Sequence, residues 1–226
     1  MQFHETGNML RGLKNKIKNT GLFGKSYGTT WKGRTGNWYL ELFNARPLLH
    51  KNFINYLKAK NDLKTVLEVG CGTGVYPIQF KELFSNLKYT GTDISETAIE
   101  QCTKHSQFEF ICGDFIKMEF PEKYDLVFSL AVIDHVYDID RFLAKIVQIS
   151  KKYAYINAYR GYFPNLNKHK MNWRADEGCY YNDLAVNQIK ETLIQSGLSE
   201  DEFIIRPQES GQKNLEIETV IEINKR

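Results

Sequence analysis

The chain predicts an α/β protein with a doubly wound, mostly parallel seven-stranded sheet, an antiparallel C-terminal strand and an N-terminal cap. Three observations carry that prediction. From Thr65 onward, strand-like apolar runs alternate with segments of helical spacing. The first run falls into three alternating glycines, Gly70, Gly72 and Gly74, and helical spacing resumes at once. The chain closes with two strand-like runs joined by "QESGQKN", which reads as an antiparallel hairpin.

The elements follow in order. Residues 1–47 form the cap, irregular before Gly36, and residues 48–226 form the domain proper. "RPLLHKNFINYLKAK" is amphipathic and reads as a helix leading into the sheet. "TVLEV" is the first strand. "YPIQFKELFSN" keeps helical spacing at Ile78, Phe80, Leu83 and Phe84, with Pro77 in the first turn, where its missing N–H costs little. "KYTGTDI" is a strand ending in Asp93, and Ser95 caps the helix "ETAIEQCTKH". "FEFICGDF" is the third strand. "YDLVFSLAVI" is the fourth, buried on both faces because its apolar run is nearly continuous. "DIDRFLAKIVQIS" is a helix and "YAYINAY" the fifth strand. "YNDLAVNQIKETLIQSG" reads as a helix stopped by Gly197, and "EFIIRP" and "LEIETVIEIN" complete the sheet.

Composition narrows the class. With 226 residues, 42% hydrophobic content and a net charge of +3, the chain suits one globular domain, and the charge is too small to argue for nucleic acid. Four scattered cysteines form no C-x-x-C pair, which argues against zinc or disulfides and for a reducing cytoplasm. No run of about 18 apolar residues occurs, so no membrane span is expected. Between Glu5 and Glu41 every charge is basic. The expected partner is a small-molecule acceptor, and a homodimer is compatible with the sequence.

Glycines at a strand-to-helix turn let the backbone approach a ligand, and the helix N-terminus adds free N–H donors. The dinucleotide fingerprint is G-x-G-x-x-G. Here the spacing is G-x-G-x-G, with Glu68 two residues before the first glycine, which suits a ligand lacking the pyrophosphate.

"VLEVGCGTG" resembles motif I of the class I S-adenosylmethionine-dependent methyltransferases, and three further motifs agree in order: "YTGTDIS", "FICGDF" and "YDLVFSLAVIDHVYDIDRFLAKI". The resemblance covers residues 48 to 224 and implies the Rossmann-like methyltransferase fold with S-adenosyl-L-methionine as cofactor. It implies that Glu68, Gly70, Cys71, Gly72 and Gly74 line the amino-acid and ribose end of that cofactor. Asp93 would hold the ribose hydroxyls, Asp114 would lie by the adenine amino group, and Ile94 and Phe115 would sandwich the ring. Ser129, Leu130 and Ala131 would border the reacting methyl. From the cap, Arg34 or Trp38 would reach the methionine carboxylate, with Tyr27 and Trp31 as further options.

An oxygen acceptor gains from a general base. His135 and Asp134, after the fourth strand, are candidates. A second zone, residues 157–181, is too long for an ordinary connection and holds Arg160, His169, Trp173 and Arg174 among tyrosines, which suits a planar, polar or anionic acceptor. O-methylation of a sugar, phosphorylated or nucleotide-linked metabolite is the leading expectation. A protein, lipid or RNA methyltransferase and an inactive cofactor-binding partner subunit are the alternatives. "SLAV" stands where base- and glutamine-modifying enzymes carry an N-P-P-Y-like tetrad.

Overall fold

The computed structural model describes residues 25–34, 36–39, 41, 44, 50–210 and 217–226. In chain order these form α1 (Thr29–Lys32), α2 (Lys51–Lys58), β1 (Thr65–Val69), α3 (Val75–Gln79), α4 (Lys81–Phe84), β2 (Lys88–Asp93), α5 (Glu96–His105) and β3 (Glu109–Cys112). Next come β4 (Tyr124–Leu130), α6 (Ile139–Ile149), β5 (Ser150–Ala158), β6 (Lys170–Arg174), β7 (Cys179–Asp183), α7 (Val186–Gln195), β8 (Phe203–Glu209) and β9 (Ile217–Asn224).

The main sheet has seven strands in the order β3-β2-β1-β4-β5-β9-β8. Pairs from β3 to β5 are parallel, and β9 runs antiparallel to both β5 and β8. Every residue of β4 is buried, as a continuous apolar run in a central strand requires. One face of the sheet packs Phe142, Leu143 and Ile146 of α6 and Ile189 and Leu193 of α7. The other packs Phe53, Ile54 and Leu57 of α2 with Tyr76 of α3 and Phe84 of α4. The closing hairpin adds β9 beside β5; part of its connecting loop, residues 211–216, lies outside the described residues, as does the expected boundary between residues 47 and 48.

Caps form where short polar side chains precede the helices. Ser95 Oγ accepts from the Ala98 N–H at 3.3 Å, and Asp138 caps α6 through the Arg141 N–H at 3.0 Å.

Three expectations are corrected. The helix expected over 76–86 breaks at Phe80, whose φ of −112° and ψ of 46° separate α3 from α4. The segment 157–181 is more than a long connection: its second half contributes to a two-stranded antiparallel ribbon, β6 with β7, registered Lys170 to Asp183 and Arg174 to Cys179. Consequently Tyr181, Asn182 and Asp183 are strand, and the following helix starts only at Val186. Finally, the cap, expected to be irregular before Gly36, contains the short helix α1 within residues 25–34 and is bonded there to the ribbon.

Candidate active site

An open cleft of about 790 Å³ lies beyond the carboxyl ends of β1 to β4, where the strand order reverses between β1 and β4. Its floor is backbone: Val69, Gly70 and Gly72 after β1, Thr92 and Asp93 after β2, and Gly113 and Asp114 after β3. Ile94, Phe115, Val132 and Val136 supply apolar wall, and Tyr27, Trp31, Trp38 and Tyr39 cover it from the cap.

The glycine turn is tied to β2. Gly70 and Cys71 both donate to the Thr92 carbonyl, at 2.7 and 2.9 Å. Gly70 and Gly72 both have positive φ, at 78° and 54°. They need glycine for different reasons. A Cβ on Gly70 would sit 2.2 Å from Val132 Cγ2, whereas one on Gly72 would meet nothing within 4 Å and would project into open space.

Asp93 ends β2 with both oxygens engaged: one accepts from the Gly72 N–H and the other from the Ser95 N–H, each at 2.9 Å. Asp114 accepts from the Ile116 N–H at 3.2 Å and the Tyr137 hydroxyl at 3.1 Å, with Lys117 Nζ at 3.2 Å. Tyr27 packs edge-on against Tyr137 with centroids 4.7 Å apart, so the cap reaches the Asp114 end of the cleft.

The cap and the ribbon hold each other. Lys25 donates to the Ala175 carbonyl and Gly28 to the Gly178 carbonyl, both at 2.9 Å, and the Thr30 hydroxyl bonds the Glu177 carbonyl. The Trp31 carbonyl accepts from Ser95 Oγ at 3.1 Å and Tyr39 Oη at 3.0 Å. Two segments far apart in the chain thus form one cover.

After β4 the backbone turns sharply. Ala131 has a φ of 59°, and Ile133–His135 form a single 3-10 turn. The ribbon clamps that turn: Asn182 Nδ2 donates to the carbonyls of Ile133 at 3.1 Å and Val136 at 2.8 Å. His135 Nδ1 bonds the Tyr180 carbonyl at 2.7 Å, and its Nε2 accepts from the Tyr159 hydroxyl at 3.1 Å. Asp134 is fully buried and accepts from the Tyr159 and Arg160 N–H groups at 3.2 and 3.1 Å. Burial pushes its pKa up to about 7, against the pull of those two donors.

The sequence-predicted residues divide by place. Gly70, Gly72, Asp93, Ile94, Asp114, Phe115, Trp38 and His135 line the cleft. Glu68, Cys71, Gly74, Ser129 and Leu130 support it from behind. Glu68 is buried and accepts from Tyr89 Oη at 2.5 Å, Ser129 Oγ donates to the Val69 carbonyl at 3.0 Å, and Leu130 sits in the core. Arg34 lies over the Trp38 ring, 4.7 Å from its centroid. Arg160 is spent on Asp183, donating through Nε at 3.1 Å and Nη2 at 2.9 Å.

His169 is structural. Its Nδ1 accepts from the Ala185 N–H at 2.9 Å and its backbone N–H bonds Gln188, so it fastens the ribbon to α7 away from the cleft lining. Burial lowers its pKa and favours the neutral ring. Tyr39, Tyr159 and Asn182 were not singled out by sequence. Asn182 sits in a stretch whose spacing reads as helix, and nothing in its neighbours Tyr181 and Asp183 signals its role.

A doubly wound sheet with a switch-point cleft, a G-x-G-x-G turn and strand-end carboxylates defines the class of Rossmann-like methyltransferases. Residues 60–203 match the family described as a methyltransferase domain, and the chain belongs to that family. Among curated proteins it is 31% identical over 117 residues to a malonyl-[acyl-carrier protein] O-methyltransferase of Acetivibrio thermocellus, covering 48% of this chain and 41% of that protein. It is 30% identical over 119 residues to a ubiquinone biosynthesis O-methyltransferase of Rhodopseudomonas palustris, covering 50% and 46%. The matches thus span less than half the length of these two relatives. Among solved structures, the plantazolicin methyltransferase BpumL in complex with SAH superposes with a TM-score of 0.63 at 14% identity, covering 94% of this chain and 99% of that one. Among the described residues no helix is long and apolar enough to cross a membrane.

Proposed function

We propose that this chain transfers a methyl group from S-adenosyl-L-methionine to a hydroxyl oxygen of a small molecule. The observation that carries the cofactor is the pairing of Gly72 with Asp93. A missing Cβ faces open cleft, and beside it stands the strand-end carboxylate of Asp93, a group whose charged oxygens make strong hydrogen bonds to a vicinal diol. Ile94 and Phe115 suit the faces of a purine, and Asp114 suits its exocyclic amine. Arg34, whose Nε lacks a hydrogen-bond partner among the described residues, is the candidate for the methionine carboxylate.

When bound, the cofactor supplies an electrophilic methyl on a good leaving group, so the protein's main tasks are orientation and water exclusion. The cap performs the second by closing the cleft with aromatic rings, and the ribbon holds the cap in place. His135 Nε2 is an acceptor nitrogen at the cleft, placed to take the proton that an attacking hydroxyl must lose.

The acceptor reading is refined by the ion pairs. Arg160 is matched by Asp183, and Arg174 by Asp176 at 3.4 Å and Glu177 at 3.6 Å. With Arg160 and Arg174 already paired and Trp31 edge-on to His135 at 5.0 Å, the site favours a flat, hydroxyl-bearing molecule over a strongly anionic one. The test is transfer of an isotope-labelled methyl to a panel of phenols, hydroxy acids and sugar nucleotides. Transfer to a hydroxyl that is lost in His135→Ala supports the reading; transfer only to amines or carbons overturns the oxygen assignment.

A further inference from the structure

His135 is held from several directions, and the holds differ in chemistry. A carbonyl oxygen can only accept, so the 2.7 Å contact with Tyr180 places a proton on Nδ1. In the neutral ring Nε2 then carries the lone pair, and the Tyr159 hydroxyl donates into it at 3.1 Å. Trp31 from the cap and Tyr181 from β7 pack edge-on against the ring, with centroids at 5.0 and 5.1 Å. Asp134, on the same turn, directs its carboxylate to the Tyr159 and Arg160 N–H groups. Nothing in the methyl-transfer chemistry itself requires a phenol beside the imidazole.

We propose that Tyr159 is a positioning residue for His135: its hydroxyl keeps Nε2 unprotonated and aimed, and gives up that place when an acceptor hydroxyl arrives. The proposal rests on the reading of His135 as proton acceptor. The two residues reach the site from different elements: Tyr159 directly follows β5 and His135 closes the turn after β4. Their neighbourhood is set by backbone bonds that a Tyr159→Phe substitution leaves in place. The Tyr159 N–H still bonds Asp134, and the ring still packs 5.7 Å from the imidazole centroid. Only the hydroxyl is removed.

The sign of the effect follows. A hydrogen bond donated into the Nε2 lone pair stabilises the neutral ring, and its loss makes the ring easier to protonate. The experiment is an NMR pH titration of the imidazole in the ligand-free protein, assigned by loss of the signal in His135→Gln. The wild-type ring should carry its proton on Nδ1, and Tyr159→Phe should raise the titration midpoint by about half to one pH unit. Asp134 keeps its bonds to the backbone N–H groups of residues 159 and 160 in both proteins, so the difference isolates the hydroxyl.

An unchanged or lowered midpoint, or a wild-type ring protonated on Nε2 alone, overturns the proposal. Should the variant fail to fold, the wild-type tautomer still decides. These results do not depend on turnover: if His135→Ala keeps full methyl transfer, the base reading fails while the Tyr159 bond stands or falls by the titration.

Discussion

A methyl group added at Gly72 would meet no atom of the folded chain, whereas one added at Gly70 would collide with Val132. The two glycines therefore separate folding from binding. Gly72→Ala should fold, losing about 1–2 kcal/mol for an L-residue at positive φ, yet should bind S-adenosylhomocysteine at least tenfold more weakly in calorimetry. Equal affinity would show that no ligand passes against this turn. Asp134 makes a second residue-scale prediction. Its folded pKa of about 7 lies above the ordinary carboxylate value, so the folded state holds the proton more tightly than the unfolded chain. The contribution of Asp134 to stability is then greatest at low pH and declines as pH rises from about 4 to 7, by at most roughly 4 kcal/mol. Asp134→Asn should flatten that decline in urea melts recorded across the window, whatever its absolute stability; a slope equal to wild type would remove Asp134 as its source.

Among the elements, the ribbon decides the shape of the site. Asn182 reaches from β7 to the carbonyls of Ile133 and Val136, and the Tyr180 carbonyl on the same strand accepts from His135 Nδ1. Asn182→Ala leaves two buried carbonyls without that donor and opens a small void, a loss of about 2–4 kcal/mol in urea unfolding. A loss below about 0.5 kcal/mol would mean the turn holds itself. This element was also where the sequence was least legible. β1, β2 and β4 end in motifs whose chemistry is local: glycines, a strand-end acid, an apolar run. The ribbon's pairing is not local. Tyr181 and Asn182 are strand because Asn172 and Met171 lie across from them and the 3-10 turn lies beneath, and neither fact is written in the spacing of the segment itself. The break at Phe80 has the same character, since helical spacing on both sides runs through it.

Across the whole molecule, cap and ribbon meet over the cleft through backbone bonds from Lys25 and Gly28. The cap, expected to reach the methionine carboxylate, and the segment expected to meet the acceptor are joined in one structure. The doubly wound order, the reversed β9 and the cleft at the switch point were legible because alternating patterns and right-handed connections leave few topologies. Which carboxylates face the cleft was only partly so: Asp93 and Asp114 do, while Glu68, two residues before the turn, points to Tyr89 because alternate residues of β1 face opposite sides. The whole fold converges on cofactor binding at the switch point. Its most direct test is calorimetric titration of the purified chain with S-adenosylmethionine and S-adenosylhomocysteine, alongside Asp93→Ala with its fold checked by circular dichroism. One saturable site is expected on the wild type and at least a tenfold loss in the variant, the equivalent of about 1.4 kcal/mol. No binding to the wild type, or equal affinity in a folded Asp93→Ala, would contradict it.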